Sequence, residues 1–161
     1  MVYEVEALPE LDTSKSNIPN GCLVLIADSE KALFLRNEGD ARAIDLHVER
    51  KKVQDNPSDA EQSANRPGRM FDGTGHKSAV DDTDWHQLAK ERFASELADI
   101  LYKRAHRGDF DKLVIAADPS TLGELRQSLH QEVTNRVVAE IAKNLTNHEM
   151  ADIEKLVVDN V

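Results

Sequence analysis

The chain has 161 residues, 40% apolar and 31% charged, and its 30 acidic side chains outnumber 20 basic ones to give a net charge of −10. That length holds one domain with its own core and is too short for two ordinary ones, and the acidic balance argues against a general nucleic-acid coat, which needs concentrated positive charge to release counterions. A single cysteine, Cys22, excludes an internal disulfide and a thiolate metal cage, and an aromatic share of 4% leaves the core to Leu, Ile, Val and Ala.

Residues 1–20 are acidic, interrupted by Pro9 and Pro19, and lack a sustained period, so they read as a flexible acidic tail ahead of a single α/β domain over 21–161. No basic start leads into an apolar block, and no later run approaches the ~18 apolar residues of a membrane span. A cytoplasmic protein with no membrane partner is the expectation. "CLVLIAD" (22–28) is nearly continuous and apolar between turn residues, which suits a central strand covered on both faces and opened by a small buried Cys22.

"KALFLRNEG" (31–39) and "ARAIDLHVERK" (41–51) are strand-like and joined through "EGDA", as "DSEK" joins the first two. The three make an antiparallel meander. In the third, Ala43, Asp45 and His47 alternate with Ile44, Leu46 and Val48, the pattern of a strand with one wet face. Residues 52–83 follow as a long loop, interrupted by Pro and Gly, of a length that in a compact domain is functional or disordered.

"TDWHQLAKERFASELADILYKRAHRGD" is the clearest helix. Thr83 or Asp84 can cap it with Gln87 completing the box, Trp85, Leu88, Ala89, Phe93, Leu97, Ile100 and Leu101 recur at helical spacing, and Gly108 stops it. "FDKLVIAADPS" (110–120) is a second buried strand, and "PSTLGELRQSLHQEV" carries Leu122, Leu125 and Leu129 on one helical stripe. "RVVAEIAKNLT" fits a strand or a helix and, between two helices, is taken as a strand. "TNHEMADIEKLVVDN" closes with a Thr or Asn cap and a stripe of Met150, Ile153, Leu156 and Val157. The order β-β-β-α-β-α-β-α predicts a mixed five-stranded sheet with flanking helices.

The ordered set "LVLIADSEKALFL", "RPGRMFDG", "TDWHQLAKERFASELADIL", "FDKLVIAADPSTLGELRQSL" and "IAKNLT" resembles the bacterial host attachment proteins, over roughly residues 20–160. That family is in turn similar to the middle domain of archaeal and eukaryotic peptide-chain release factors, which has a ribonuclease-H-like strand arrangement. The resemblance implies a requirement in attachment to host cells and a role at the ribosome or with RNA, and no established enzyme activity. In release factors a Gly-Gly-Gln loop of the middle domain serves peptide release. This sequence contains no Gly-Gly-Gln, so the resemblance does not extend to peptidyl-tRNA hydrolysis.

Two constellations could carry function. In the loop, Arg66, Arg69, His76 and Lys77 set positive charge among Gly68, Gly73 and Gly75, whose bare backbone can approach a phosphate or another chain. With Phe71, and with Trp85 and His86 at the helix start, they form the expected binding surface for a ribosome, RNA or protein partner. The competing reading is a loop that covers the sheet or moves. "GTG" is no nucleotide-binding loop, and neither a cofactor nor DNA is expected. At the sheet, Asp28 and Asp118 would share one carboxyl edge if strands one and four are parallel neighbours. A metal-dependent nuclease would use them with a further carboxylate from Asp84, Glu91 or Asp159; the plainer reading is that Asp28 caps its turn and Asp118 caps a helix with Pro119 at its first position. The six histidines do not cluster and lack zinc spacing, and Lys103, Arg104, His106 and Arg107 give a basic end to the long helix, through dipole compensation or as a patch continuous with the loop arginines. Partner and oligomeric state are not encoded in any motif.

Overall fold

The computed structural model describes residues 18–54 and 79–161. Within them run β1 (Leu23–Ala27), β2 (Lys31–Asn37), β3 (Leu46–Val53), α1 (Ala79–His106), β4 (Leu113–Ala117), α2 (Pro119–Ser128), α3 (Gln131–Thr134), β5 (Val137–Ile141) and α4 (Met150–Asp159). The strands form one sheet in the order β3-β2-β1-β4-β5. β1 pairs antiparallel with β2 and β2 with β3, whereas β1/β4 and β4/β5 are parallel. This is the α/β fold with a mixed five-stranded sheet that the pattern of elements predicts.

Continuous apolar runs at β1 and β4 become the doubly covered centre: every residue of both strands is buried. Alternate side chains serve opposite cores. Leu23, Leu25 and Ala27 meet Phe93, Leu97 and Leu101 of α1, Leu122 and Leu125 of α2 and Val133 of α3. Val24 and Ile26 meet Ile153 and Val157 of α4. Each fully buried Leu or Ile contributes about 1.5–3 kcal/mol relative to exposure, so these rows supply much of the driving force. Cys22 lies in the second core as expected, 1% exposed.

Several expectations change at the level of single elements. The third strand begins at Leu46 instead of residue 41, because Asn37 and Asp40 build a wider turn: Asn37 Oδ1 accepts from Gly39 N and Asp45 N, and Asp40 Oδ1 from Arg42 N and Ala43 N. A Cβ at Gly39 would run into the Ala43 carbonyl, which requires glycine there. Asn37 also donates to the carbonyls of Ile18 and Pro19, and Ile18, inside the stretch expected to be tail, is buried. The expected alternation along β3 is absent too, since Val48 is exposed alongside His47 and Glu49.

Helix α1 begins at Ala79, before the expected cap at Thr83 or Asp84. Its 28 residues span about 42 Å, roughly twice the length of the strands beneath. The sheet therefore cannot cover the whole stripe: Phe93, Leu97 and Leu101 are buried, but Trp85 and Leu88 are 43% and 53% exposed. Gly108 ends the helix at φ 72°, with Asp109 N donating to Arg104 O. The expected single helix after β4 is two, because Leu129 turns extended and His130 caps α3 through Nδ1, which accepts from Glu132 N. At α4 the Thr or Asn cap is not formed. Glu149 holds that position without a side-chain hydrogen bond, since the Thr146 hydroxyl is engaged with Asp28.

The end of α1 is fastened to the meander by charge. The β3 register shifts opposite Phe34 and Leu35, leaving Glu49 as the extra residue of a bulge. Glu49 reaches Arg36 (3.0 Å) and Arg104 (2.6 Å), and Asp109 closes the ring to Arg104 (2.6 Å) and Arg36 (3.4 Å). Arg104 lies 5.9 Å from the Phe34 ring centre and only 9% of it is exposed. Removing one member strands the others in a partly dehydrated site. Arg104→Ala is expected to lower stability by about 2 kcal/mol by chemical denaturation, less than a fully buried pair because Glu49 and Asp109 keep some solvent; a loss under about 0.5 kcal/mol would show the ring to be ornamental.

Burial pushes the Cys22 thiol up to about 11, against the pull of Arg36 and Lys112. The folded protein should therefore resist a disulfide reagent at mildly alkaline pH, labelling at the rate of unfolding. Labelling as fast as in denaturant would contradict the packing.

Candidate functional site

Because Ala27 and Ala117 are register partners in the parallel β1/β4 pair, Asp28 and Asp118 leave the sheet side by side. This is the carboxyl edge where open α/β sheets bind ligands. Their chemistry is that of caps. Asp28 Oδ1 accepts from Glu30 N (2.7 Å) and Lys31 N (2.8 Å), and Oδ2 from the Thr146 hydroxyl (2.7 Å). Burial pushes its carboxyl up, but the hydrogen bonds from Thr146, Glu30 and Lys31 together outweigh it and hold the pKa below the ordinary 3.8. Asp118 caps α2, Oδ2 accepting from Thr121 N (3.1 Å), with Pro119 in the first turn.

Asp118 Oδ1 and Thr121 Oγ1 are buried without a hydrogen-bond partner among the described residues. They offer one small donor a place. Among the described residues no three His, Cys, Asp or Glu side chains converge. Asp84, a proposed third ligand, is exposed near the start of α1, and Asp159 ends α4 on the other face. Around the edge the elements are tied together by Lys31 to Asn147, Lys90 to Ser120, and Gln87 to Glu91 and Glu124. Gln87 therefore does not complete a capping box.

Of the expected binding residues, Arg66, Gly68, Arg69, Phe71, Gly73, Gly75, His76 and Lys77 lie outside the described residues. Trp85 and His86 are both exposed on the free end of α1, directly after that segment. The basic residues at the other end of α1 stand about 30 Å or more along the helix from its start. Lys103 pairs with Asp99, His106 with Glu132, and Arg104 belongs to the buried ring.

Two groupings escaped the sequence. His106 and His130 come together on either side of Tyr102, with ring centres 5.6 Å and 4.4 Å away, because α1 and the start of α3 are neighbours. Thr146 and Asn144 close over Asp28 from the segment after β5. The second was signalled only by an Asn-x-Thr ahead of a helix, which reads equally as a cap.

A five-stranded mixed sheet with three helices packed on one face and a meander on one edge is the architecture of an α/β domain of the release-factor-like class. A model of the bacterial archaeo-eukaryotic release factor family 12 matches residues 22–157, and the chain belongs to that family. No curated protein matches the chain. Among the described residues no helix is long and apolar enough to cross a membrane.

Asp28 at the carboxyl edge and the two acids of the Arg36–Glu49–Arg104–Asp109 ring predict an acid response. Asp28, Glu49 and Asp109 are all held below their ordinary values of 3.8, 4.5 and 3.8. A depressed carboxyl stabilises the fold fully above its unfolded pKa and loses that contribution as pH falls through the folded value. Denaturation midpoints should thus hold steady at neutral pH and fall progressively below about pH 4.5. Asp28→Asn should lower the neutral midpoint and flatten part of that fall; an unchanged acid profile in the variant would remove Asp28 from the account.

Proposed function

We propose that this domain is a non-catalytic binding module that works in translation, contacting the ribosome or RNA through Arg66, Gly68, Arg69, Phe71, Gly73, Gly75, His76 and Lys77 together with Trp85 and His86. The observation that carries the reading is the free end of α1. It places Trp85 and Leu88 in solvent beyond the sheet, at the point where the Arg- and Gly-rich segment joins the helix. Membership in a release-factor family supports the ribosome as the partner. The lack of Gly-Gly-Gln in the sequence, and the use of Asp28 and Asp118 as caps, favour binding over catalysis. A requirement for attachment to host cells would then be an indirect consequence of altered translation.

The test is sedimentation of the tagged protein with ribosomes from growing and starved cells, at low and moderate salt. Wild type should travel with ribosomal particles and Arg66→Ala/Arg69→Ala should remain largely at the top. Wild type remaining at the top in every condition would end the ribosome reading.

A further inference from the structure

A groove of about 500 Å³ runs between edge strand β3 and α1, with Arg50 and Lys52 on the strand side and Arg92, Glu96 and Asp99 on the helix side. The Glu49 bulge produces it, by turning Arg50 as well as Glu49 towards the helix. Both acids are already answered: Glu96 by Lys52 at 3.3 Å and Asp99 by Lys103 at 3.0 Å. Arg50 and Arg92 have no carboxylate partner among the described residues, although the protein carries ten more negative charges than positive. Two unpaired arginines facing one groove give an acidic protein a local cationic site.

The helix adds an aromatic. Trp85, Leu88 and Arg92 are spaced by three and four residues, so they share one stripe, and Trp85 stands about 10 Å along the axis from Arg92. That stripe leads from the free end of α1 into the groove. Cationic residues on an exposed edge strand also guard against unwanted strand pairing, which accounts for Lys51 on the opposite face. It accounts for neither Arg92 on the helix nor the exposed indole in line with it.

A cation track with an aromatic platform at its mouth matches the chemistry of an unpaired nucleic acid strand, in which phosphates follow the charges and a base stacks on the ring. A duplex keeps its bases inside and has none to offer Trp85. We infer that the β3/α1 groove binds single-stranded RNA, with phosphates on Arg50 and Arg92 and a base on Trp85. The inference rests on the translation reading and deepens it by naming a groove that shares Trp85 with the proposed contact surface but uses neither Arg66 nor Arg69.

Trp85 is the only tryptophan of the chain, so its fluorescence reports the site directly. The probe is an oligouridylate of about eight nucleotides, titrated into the full chain at low salt and followed by Trp85 quenching and by anisotropy of a labelled oligomer. Wild type should show quenching and a log affinity falling with log salt at a slope near −1.4, about 0.7 for each of two phosphates. Arg50→Gln/Arg92→Gln should bring the slope close to zero, and Trp85→Ala should weaken binding about tenfold or more. These side chains are exposed or groove-lining, and unchanged circular dichroism and melting would confirm intact variants. No binding at low salt, equal affinity in the variants, stronger binding of the deoxy oligomer or of duplex RNA, or equal quenching by a polyglutamate peptide of the same length would each overturn the assignment. Sedimentation of wild type with ribosomes while the oligomer fails to bind sinks the groove and leaves the translation reading. Oligomer binding through the groove without sedimentation does the reverse.

Discussion

The parallel pairing of β1 with β4 is the constraint on which the rest of the molecule depends. Parallel neighbours cannot be joined by a tight turn, so the chain must leave the meander and return to the start of the sheet before β4 can form. A long α1 is the return path. Because both strands are buried on both faces, each face needs its own cover, which α1, α2 and α3 supply on one side and α4 on the other. The same pairing brings Asp28 and Asp118 to one edge, where their use as caps starts the β1/β2 turn and α2 correctly.

A second constraint is the difference in length between α1 and the strands. The sheet can bury only the C-terminal part of the helix, and the Arg36–Glu49–Arg104–Asp109 ring fixes that part against the meander. With its far end anchored, the helix has to project at its start. One bulged residue, Glu49, is central to both the anchoring ring and the orientation of Arg50, so fold stability and groove chemistry share a single irregularity in β3.

Much of the architecture was legible because the relevant signals are local. Two continuous apolar runs at 23–27 and 113–117 could only be covered strands, and Asp-Pro at 118–119 marked a capped helix start. What was illegible depends on partners distant in sequence. Trp85 and Leu88 fit an apolar stripe by spacing, and only the sheet's limited length leaves them in solvent. Thr146 is as good a cap as any until Asp28, 118 residues earlier, claims its hydroxyl. Arg50 and Arg92 look like ordinary surface charge until a bulge and a crossover helix set them on one groove. The break at Leu129 likewise hid behind an uninterrupted leucine stripe.

Helix α4 gives the fold a second timescale. At ten residues it is too short to persist alone, and it is held by Ile153 and Val157 in the second core and by Glu154 accepting from Leu46 N. The core on the α1 side shares no helix with it. Undocking α4 would therefore uncover Val24, Ile26, Val114 and Ala116 without parting any strand from its neighbour, an opening that costs less than global unfolding. The sheet thus separates two compartments that can breathe independently, the slow one beneath α1 and the fast one beneath the C-terminal helix.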